Sequence, residues 1–144
     1  MSGIVIDASM ALAWLFERQQ PVDIERANRL LAASGEQPWW IPGLWHLEVA
    51  NALLVAERRQ VLPQSESDRF LSRLNSLPML TDTDSFPERG SRILALARGH
   101  DLSSYDATYL ELAQRLGAAL ASFDRQLNRA ASTIGVALFP ESLP

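Results

Sequence analysis

The sequence predicts an α/β fold in which a parallel sheet is flanked by helices. Short apolar runs that suit buried strands alternate along the chain with longer segments whose apolar residues recur at helical spacing. The chain has 144 residues, which is enough for one domain with a sizeable core. No internal repeat or linker-like stretch interrupts the alternation. We therefore treat residues 1–144 as a single α/β domain.

The first half of the chain predicts two strands and three helices. The β-branched run that ends at Asp7 is predicted to be the first and central strand, and Ser9 is the predicted N-cap of the helix that follows. Proline or glycine stands beside most of the predicted boundaries. The predicted elements are a strand from Gly3 to Asp7, helices from Ser9 to about Glu17 and from Pro21 to Ala33, a strand from Trp39 to Ile41, and a helix from Gly43 to Arg59.

The second half continues the same alternation and ends on a fifth strand. A capping-box pattern, with serine followed three residues later by glutamate, marks the start of one of its helices at Ser85 to Glu88. The predicted elements are helices from Ser65 to Leu77, from Ser85 through Ala97 and from Ser103 to Leu116, a helix from Asp124 to about Ser132, and strands from Met79 to Thr81, Ala118 to Phe123 and Val136 to Leu138.

The composition excludes several classes of chemistry. All 13 basic residues are arginine, so a Walker A phosphate loop and a Schiff-base lysine are both impossible. Cysteine is absent, which excludes disulfides, thiolate metal sites and a cysteine nucleophile. Two histidines cannot build a three-histidine metal site. Any catalysis must therefore depend on carboxylates and hydroxyls.

The absence of cysteine makes a cytoplasmic location the default expectation, and the charge of the chain argues against tight, unspecific binding to nucleic acid. The net charge of −4 argues against many general contacts with phosphates, although a local arginine patch could still hold an RNA strand. No apolar run approaches the roughly 20 residues of a membrane span, and the N-terminal sequence lacks the pattern of a signal peptide.

Four acidic residues stand at corresponding places of the predicted fold. Asp7 and Asp124 follow predicted strands, and Glu48 and Asp106 are predicted in the first turns of helices. The carboxyl ends of parallel strands and the starts of the following helices lie along one edge of such a sheet, where ligands bind. Clustered carboxylates repel each other unless a cation neutralises them, and Mg²⁺ prefers oxygen ligands. The sequence therefore predicts a metal-dependent phosphodiesterase, with ribonuclease as the leading hypothesis.

Two polar residues could support the acidic residues, and each acidic residue also has a structural interpretation. Asn51 lies three residues after Glu48 and shares its helix face, and Ser9 could hydrogen-bond to a carboxylate or to a scissile phosphate. Asp7 and Asp124 could instead serve as N-caps, and Asp106 could complete a capping box with Ser103.

Four segments make the chain resemble the PIN-domain ribonucleases, in particular the VapC-type toxins of bacterial toxin–antitoxin pairs. The resemblance covers essentially all of the chain, and its most specific part is the Y-D-A-x-Y-L pattern together with its spacing to the later aspartate. The four segments read I-V-I-D-A-S from Ile4, L-E-V-A-N-A-L from Leu47, L-S-S-Y-D-A-T-Y-L-E-L-A from Leu102 and A-S-F-D-R-Q-L-N-R-A-A from Ala121.

The resemblance implies a parallel sheet of four or five strands with helices on both faces, and cleavage of RNA, commonly tRNA or ribosomal RNA, that depends on Mg²⁺ or Mn²⁺. Carried over by motif, the catalytic acids are Asp7, Glu48, Asp106 and Asp124. Asp7 and Asp106 are the residues most often assigned to magnesium, with Glu48 and Asp124 as further ligands. The resemblance also implies a homodimer and a small VapB-type antitoxin partner.

The chain departs from the family pattern in two respects. It carries Ser122 where threonine is common, and it has no lysine to grip RNA, so Arg125 and Arg129 on the last predicted helix are the candidates for that role. Two alternatives remain beside the ribonuclease hypothesis. One is a catalytically inactive PIN-like binding module, and the other is a different Mg²⁺-dependent phosphohydrolase, disfavoured because no lysine is present.

Overall fold

The structure, a computed structural model, describes residues 3–84 and 86–139. Its centre is a four-stranded parallel sheet with the strand order β3-β2-β1-β4. The strands are β1 (Ile4–Ile6), β2 (Trp39–Ile41), β3 (Met79–Thr81) and β4 (Ala119–Ala121). β1 lies between β2 and β4, so the prediction of a central first strand is confirmed.

Helices connect the parallel strands. The structure describes α1 (Ala8–Leu12), α2 (Pro21–Ala32), α3 (Gly43–Arg58), α4 (Gln64–Ser76), α5 (Phe86–His100), α6 (Ser104–Leu116) and α7 (Arg125–Thr133). Apart from α1, each begins and ends close to the predicted residues. Within the described ranges, no helix combines the length and the apolar character that crossing a bilayer requires. Ser85, the first residue of the predicted capping box, lies outside the described residues.

The core surrounds the middle of the sheet. Every residue of β1 and β4 is buried, so both faces of these strands are covered, which is typical of parallel sheets. The largest side chains that are fully buried include Trp39 on β2 and Tyr109 and Leu110 on α6. Burial on both faces explains why these strands appear in the sequence as continuous apolar runs.

The predicted fifth strand is reduced to a single bridge. Leu138 pairs in parallel with Leu120 of β4. The backbone of Leu120 donates to the carbonyl of Ala137 at 2.8 Å and accepts from the N–H of Phe139 at 2.9 Å. One residue of β4 thus makes both of its outward hydrogen bonds to this segment, and the sheet has four strands and a one-residue extension.

Helix α1 is shorter than predicted, and its N-cap is Asp7 rather than Ser9. The helix ends at Leu12 because the following N–H groups, from Ala13 to Leu15, bond to carbonyls three residues earlier, which tightens the last turn. The indole of Trp14 then donates to the carbonyl of Ala27 at 2.9 Å and stacks on Trp39. These contacts turn the chain toward α2 before another helical turn can form.

Gly3 enters β1 in a backbone conformation that only glycine adopts readily, with φ of +107°. A Cβ atom there would lie 2.2 Å from the carbonyl oxygen of Pro38, which accepts the first hydrogen bond of β1 from Ile4. We therefore expect Gly3→Ala to lower the free energy of unfolding by about 2–3 kcal/mol in urea titrations.

Gly90, within α5, provides the matched control for that variant. A Cβ atom there would meet no other atom within 4 Å, so Gly90→Ala should raise the free energy of unfolding by about 0.5–1 kcal/mol through helix propensity. Equal effects of the two substitutions would show that the close approach at Gly3 does not constrain the fold.

Candidate active site

The four acidic residues lie at the carboxyl edge of the sheet and on two adjoining helices. Asp7 directly follows β1, and Asp124 follows β4 and begins α7. Asp106 lies in the first turn of α6, as predicted. Glu48 is the sixth residue of α3 and therefore lies in its second turn, one turn later than predicted.

Asp7 is the most enclosed of the four, with only 6% of its surface exposed. One carboxylate oxygen accepts hydrogen bonds from the Ser9 hydroxyl at 2.7 Å and from the N–H of Met10 at 2.9 Å, and the other accepts from the Ser122 hydroxyl. Asp7 is thus both the N-cap of α1 and a buried acid whose orientation is fixed by two serines.

The same two serines connect Asp7 to the loop between β4 and α7. The Ser9 hydroxyl oxygen accepts from the N–H of Phe123 at 3.0 Å, and the Ser122 hydroxyl oxygen accepts from the N–H of Asp124 at 2.9 Å. Because each hydroxyl donates to Asp7 and accepts from this loop, the positions of Asp7 and Asp124 are coupled. Parallel pairing of Ile6 with Ala121 brings the two segments together.

Glu48 is oriented by a tyrosine on the neighbouring helix. The hydroxyl of Tyr109 on α6 donates to Oε1 of Glu48 at 2.5 Å. Burial, followed by this bond to a carboxylate, raises the pKa of Tyr109, so the phenol remains a proton donor. Tyr109 lies three residues after Asp106, so it extends from the same side of α6 and holds Glu48 close to that acid.

The carboxyl groups influence each other's protonation. Burial raises the pKa of Asp7 to about 6, and the charge of Glu48 contributes to the increase. The hydrogen bonds from Ser122, Met10 and Ser9 lower this pKa, but by less than burial raises it. Burial also raises the pKa of Glu48 and of Asp106, and the charges of Asp106 and Asp124 respectively raise them further. Electrostatic coupling therefore runs from Asp7 through Glu48 and Asp106 to Asp124.

The chemistry of this group suits a hard divalent cation. Within residues 3–84 and 86–139, no three acidic or histidine side chains are close enough together to enclose one ion by themselves. Mg²⁺ nevertheless takes few carboxylates and retains several waters, so an open arrangement fits it. Burial is the main cause of the raised pKa values, and a bound cation would offset the smaller part that comes from repulsion between the carboxylates.

Asp124, like Asp7, has the N-cap role that the sequence left open, whereas the side chain of Asp106 has no capping role. Asp124 accepts from the N–H of Leu127 at 2.9 Å and is the N-cap of α7. Ser103 is the N-cap of α6, and its hydroxyl accepts from the N–H of Asp106 at 3.0 Å. These bonds fix the backbone at both acids. The Asp124 carboxylate uses Oδ1 for its cap, and the Asp106 carboxylate is not needed for the cap of α6.

The supporting residues differ in their relation to the acids. Ser9 contacts Asp7, whereas Asn51 is exposed on α3, one turn after Glu48. Arg125, at the start of α7, lines a cavity of about 600 Å³ together with Ser9. Arg129, one helical turn later on α7, lines a different cavity, beside His100.

Ser122 and Tyr109 are the site residues that sequence reasoning does not identify. In the sequence, Ser122 stands out only as a replacement for a commoner threonine, and Tyr109 only as part of a motif. Two signals are present: Ser122 precedes Asp124 by two residues, and Tyr109 follows Asp106 by three. Neither spacing predicts the distant residue that each side chain contacts, because Ser122 bonds to Asp7 and Tyr109 bonds to Glu48.

Comparison with known proteins identifies the fold family. The family model for the PIN domain matches residues 4–132 of the chain. Ribonuclease VapC3 from Pyrobaculum aerophilum is 32% identical over 124 residues, which span 86% of this chain and 91% of the relative. The chain belongs to the PIN domain family.

Solved structures show the same PIN-like fold at lower identity. A toxin–antitoxin complex from Klebsiella pneumoniae contains a chain that matches with a TM-score of 0.63 and 18% identity, over 97% of this chain and 99% of that one. VapC20 of Mycobacterium tuberculosis, a sarcin–ricin loop cleaving toxin, also matches with a TM-score of 0.63 and 18% identity, over 88% and 94% of the two chains.

Proposed function

We propose that this PIN domain is a Mg²⁺-dependent endoribonuclease and the toxin of a VapBC-type toxin–antitoxin pair. The observation that carries the proposal is the placement of Asp7, Glu48, Asp106 and Asp124 at the carboxyl edge of a PIN-domain sheet and on the helices that adjoin it. The similarity to Ribonuclease VapC3 over most of both chains supports the choice of RNA as substrate.

Asp7 and Asp106 are the proposed metal ligands, and Glu48 and Asp124 complete the acidic group. A bound Mg²⁺, or Mn²⁺ in its place, would polarise the phosphate, activate water and stabilise the leaving oxygen. Ser9 and Ser122 hold Asp7 in one orientation, and Tyr109 does the same for Glu48. Because these hydrogen bonds already orient the carboxylates, little rearrangement of the site would be needed when the substrate and the ion bind.

The proposed partners are those of the toxin branch of the family. The Klebsiella pneumoniae structure is a toxin–antitoxin complex, which supports a VapB-type antitoxin as the protein partner. VapC20 cleaves the sarcin–ricin loop, which supports a structured cellular RNA, tRNA or ribosomal RNA, as the substrate. We further propose a homodimer that acts in the cytoplasm, where these RNAs are found.

The direct test is cleavage of total RNA by the purified protein. We expect cleavage with Mg²⁺ or Mn²⁺, loss of cleavage in EDTA, and loss of cleavage in Asp106→Asn because one charged oxygen ligand is removed. Millimolar Mg²⁺ should also raise the melting temperature of the wild-type protein, through preferential binding to the folded state, more than that of Asp106→Asn. Products are resolved on denaturing gels.

Asp68→Asn is the matched control for this test, because Asp68 is exposed on α4 and contributes to none of the site contacts. It should cleave RNA at the wild-type rate. An inactive wild-type protein that still binds RNA would instead favour the binding-module alternative. Hydrolysis of small phosphate esters, with RNA left intact, would favour a different phosphohydrolase.

A further inference from the structure

A second cavity lies beside the acidic group and shares none of its four acids. It has a volume of about 340 Å³ and is lined by residues from the start of α3, the β3–α5 loop, α5 and α6. Leu44, in its wall, lies one helical turn before Glu48 on α3, and Tyr105, also in its wall, directly precedes Asp106 on α6. Two walls of the cavity are therefore formed by the helices that carry Glu48 and Asp106.

The apolar part of the cavity provides surfaces for a flat ring. Leu44 and the buried side chain of Ile93 form part of the wall, and the ring of Tyr105 is 62% exposed. The volume lies near the lower end of the range for small-molecule pockets, about 300–1,000 Å³, so it suits a single small group rather than a folded segment. Unstacked RNA bases are commonly held against exposed aromatic side chains such as this one.

The polar part of the cavity excludes a phosphate as its occupant. It is formed by an ion-pair network in which three carboxylates outnumber two guanidinium groups, giving a net charge of −1. Arg115 donates to Glu111 and Asp82 at 2.7 Å and to Asp84 at 2.9 Å, and Arg89 donates to Asp84 at 2.7 Å. Arg89 and Arg115 both lie in ion pairs and the network carries a net negative charge, so an anion would meet net repulsion.

The carboxylates that remain available favour a group with N–H donors. The hydrogen bond from Arg89, followed by the charge of Arg115, lowers the pKa of Asp84, so this half-exposed side chain stays ionised and can accept hydrogen bonds. Carboxylates accept from the amino groups on base edges. A neutral ring with donor groups on its edge, which describes a nucleobase, satisfies both the apolar and the polar part of the cavity.

We propose that this cavity binds one unstacked nucleobase of the RNA, adjacent to the scissile phosphate, with Tyr105 stacking on the base. The inference rests on the proposed function, because it takes RNA as the substrate. The cavity then contributes to the choice of cleavage position, since a base must leave its stack before the neighbouring phosphate reaches the acids.

The test measures RNA binding in a background that carries Asp7→Asn, so that the RNA stays intact. Labelled single-stranded RNAs of about ten nucleotides, each of one base type, are compared by fluorescence anisotropy with a ribose–phosphate chain of the same length that has no bases. Tyr105→Ala should weaken binding of the best homopolymer by roughly 5- to 100-fold and leave binding of the abasic chain unchanged. Tyr105→Phe should retain the affinity of the parent protein.

Two further variants separate this inference from general effects. Thr108→Met places a longer side chain in the cavity and should weaken homopolymer binding in the same direction as Tyr105→Ala. Val61→Ala removes an exposed apolar side chain beyond the end of α3 and should have no effect. Equal losses of affinity for the homopolymer and the abasic chain in Tyr105→Ala would overturn the proposal.

A protein ligand is the competing occupant, and the same variants test it. Weaker self-association of Tyr105→Ala, with RNA affinity unchanged, would assign the cavity to a protein contact and overturn the inference. Cleavage by the wild-type protein is a separate readout. A wild-type protein that fails to cleave RNA while the base-dependent binding holds would overturn the proposed function and leave the base site standing.

Discussion

Asp7→Asn is expected to abolish RNA cleavage and, without metal, to stabilise the protein near neutral pH. Asparagine keeps the N-cap to Met10 but removes the charge proposed to bind the cation. Burial raises the pKa of Asp7 in the folded protein to about 6, from 3.8 in the absence of the fold. The ionised carboxylate is therefore less stable in the folded state than in the unfolded state.

The pH dependence of this effect follows from the direction of the shift. The folded state holds the Asp7 proton more tightly, so the free energy of unfolding of the wild type falls as the pH rises from about 4 to about 6 and then levels off. Two pKa units correspond to about 3 kcal/mol. Asparagine avoids this loss but satisfies the hydroxyl of Ser122 less well, which costs about 1 kcal/mol.

We therefore expect Asp7→Asn to exceed the wild type by about 2 kcal/mol at pH 8 in EDTA, and to show no advantage at pH 4. Urea titrations at the two pH values measure the difference. Added Mg²⁺ should stabilise the wild type selectively and narrow the gap at pH 8. A variant that still cleaves RNA, or that is less stable than the wild type at pH 8 without metal, would contradict the role assigned to Asp7.

The second large effect is expected at Arg115, which holds the buried carboxylate of Glu111. Glu111 is only 4% exposed, and the Nε atom of Arg115 lies 2.7 Å from its carboxylate. The hydrogen bond to Glu111 is the main reason why the pKa of Arg115 is raised. Arg115 also pairs with Asp82 and Asp84, so it fastens the β3–α5 loop to α6.

Arg115→Met should lower the free energy of unfolding by about 3 kcal/mol, because Arg89, at 3.9 Å, is then the only basic side chain among the described residues that forms an ion pair with the buried Glu111. Arg69→Met is the matched control, because the pair that Arg69 makes with Glu66 is exposed, and it should change stability by less than about 0.5 kcal/mol. Urea titrations compare the two variants.

A double variant, Arg115→Met with Glu111→Leu, tests the cause of that destabilisation. Replacing both partners of a buried ion pair by apolar groups removes the unpaired charge, so much of the lost stability should return. If the double variant is no more stable than Arg115→Met, the loss comes from the contacts of Arg115 with Asp82 and Asp84 rather than from the buried charge of Glu111.

Much of the fold was predictable because its signals are local. The apolar run before Asp7 and the helical spacing in α3 and α6 depend on residues within a few positions of each other, and so do their boundaries at proline, glycine and serine. The N-cap of α1 could not be chosen from local signals, because Asp7 and Ser9 are both good N-cap residues. In the structure Asp7 accepts from the N–H of Met10, and Ser9 contacts Asp7 and the N–H of Phe123 in a distant loop.

The placement of the acids was predictable to the level of the sheet edge and no further. The parallel topology brings Asp7 and Asp124 to one edge, and periodicity puts Asn51 on the face of Glu48. The fifth strand shows the limit of such reasoning. The run from Val136 to Leu138 has the composition of a strand, but its extent depends on how many backbone groups of β4 it meets, and it meets those of Leu120 alone.

The sequence by itself determined the family, the alternation of elements and which four acids are proposed for the site, because motifs and periodicities lie within short stretches of chain. Only the tertiary structure decided which side chains orient Asp7 and Glu48. Ser122 reaches Asp7 across 115 positions and Tyr109 reaches Glu48 across 61. Burial and neighbouring charge raise the pKa of Asp7, Glu48 and Asp106, and both are properties of the folded chain.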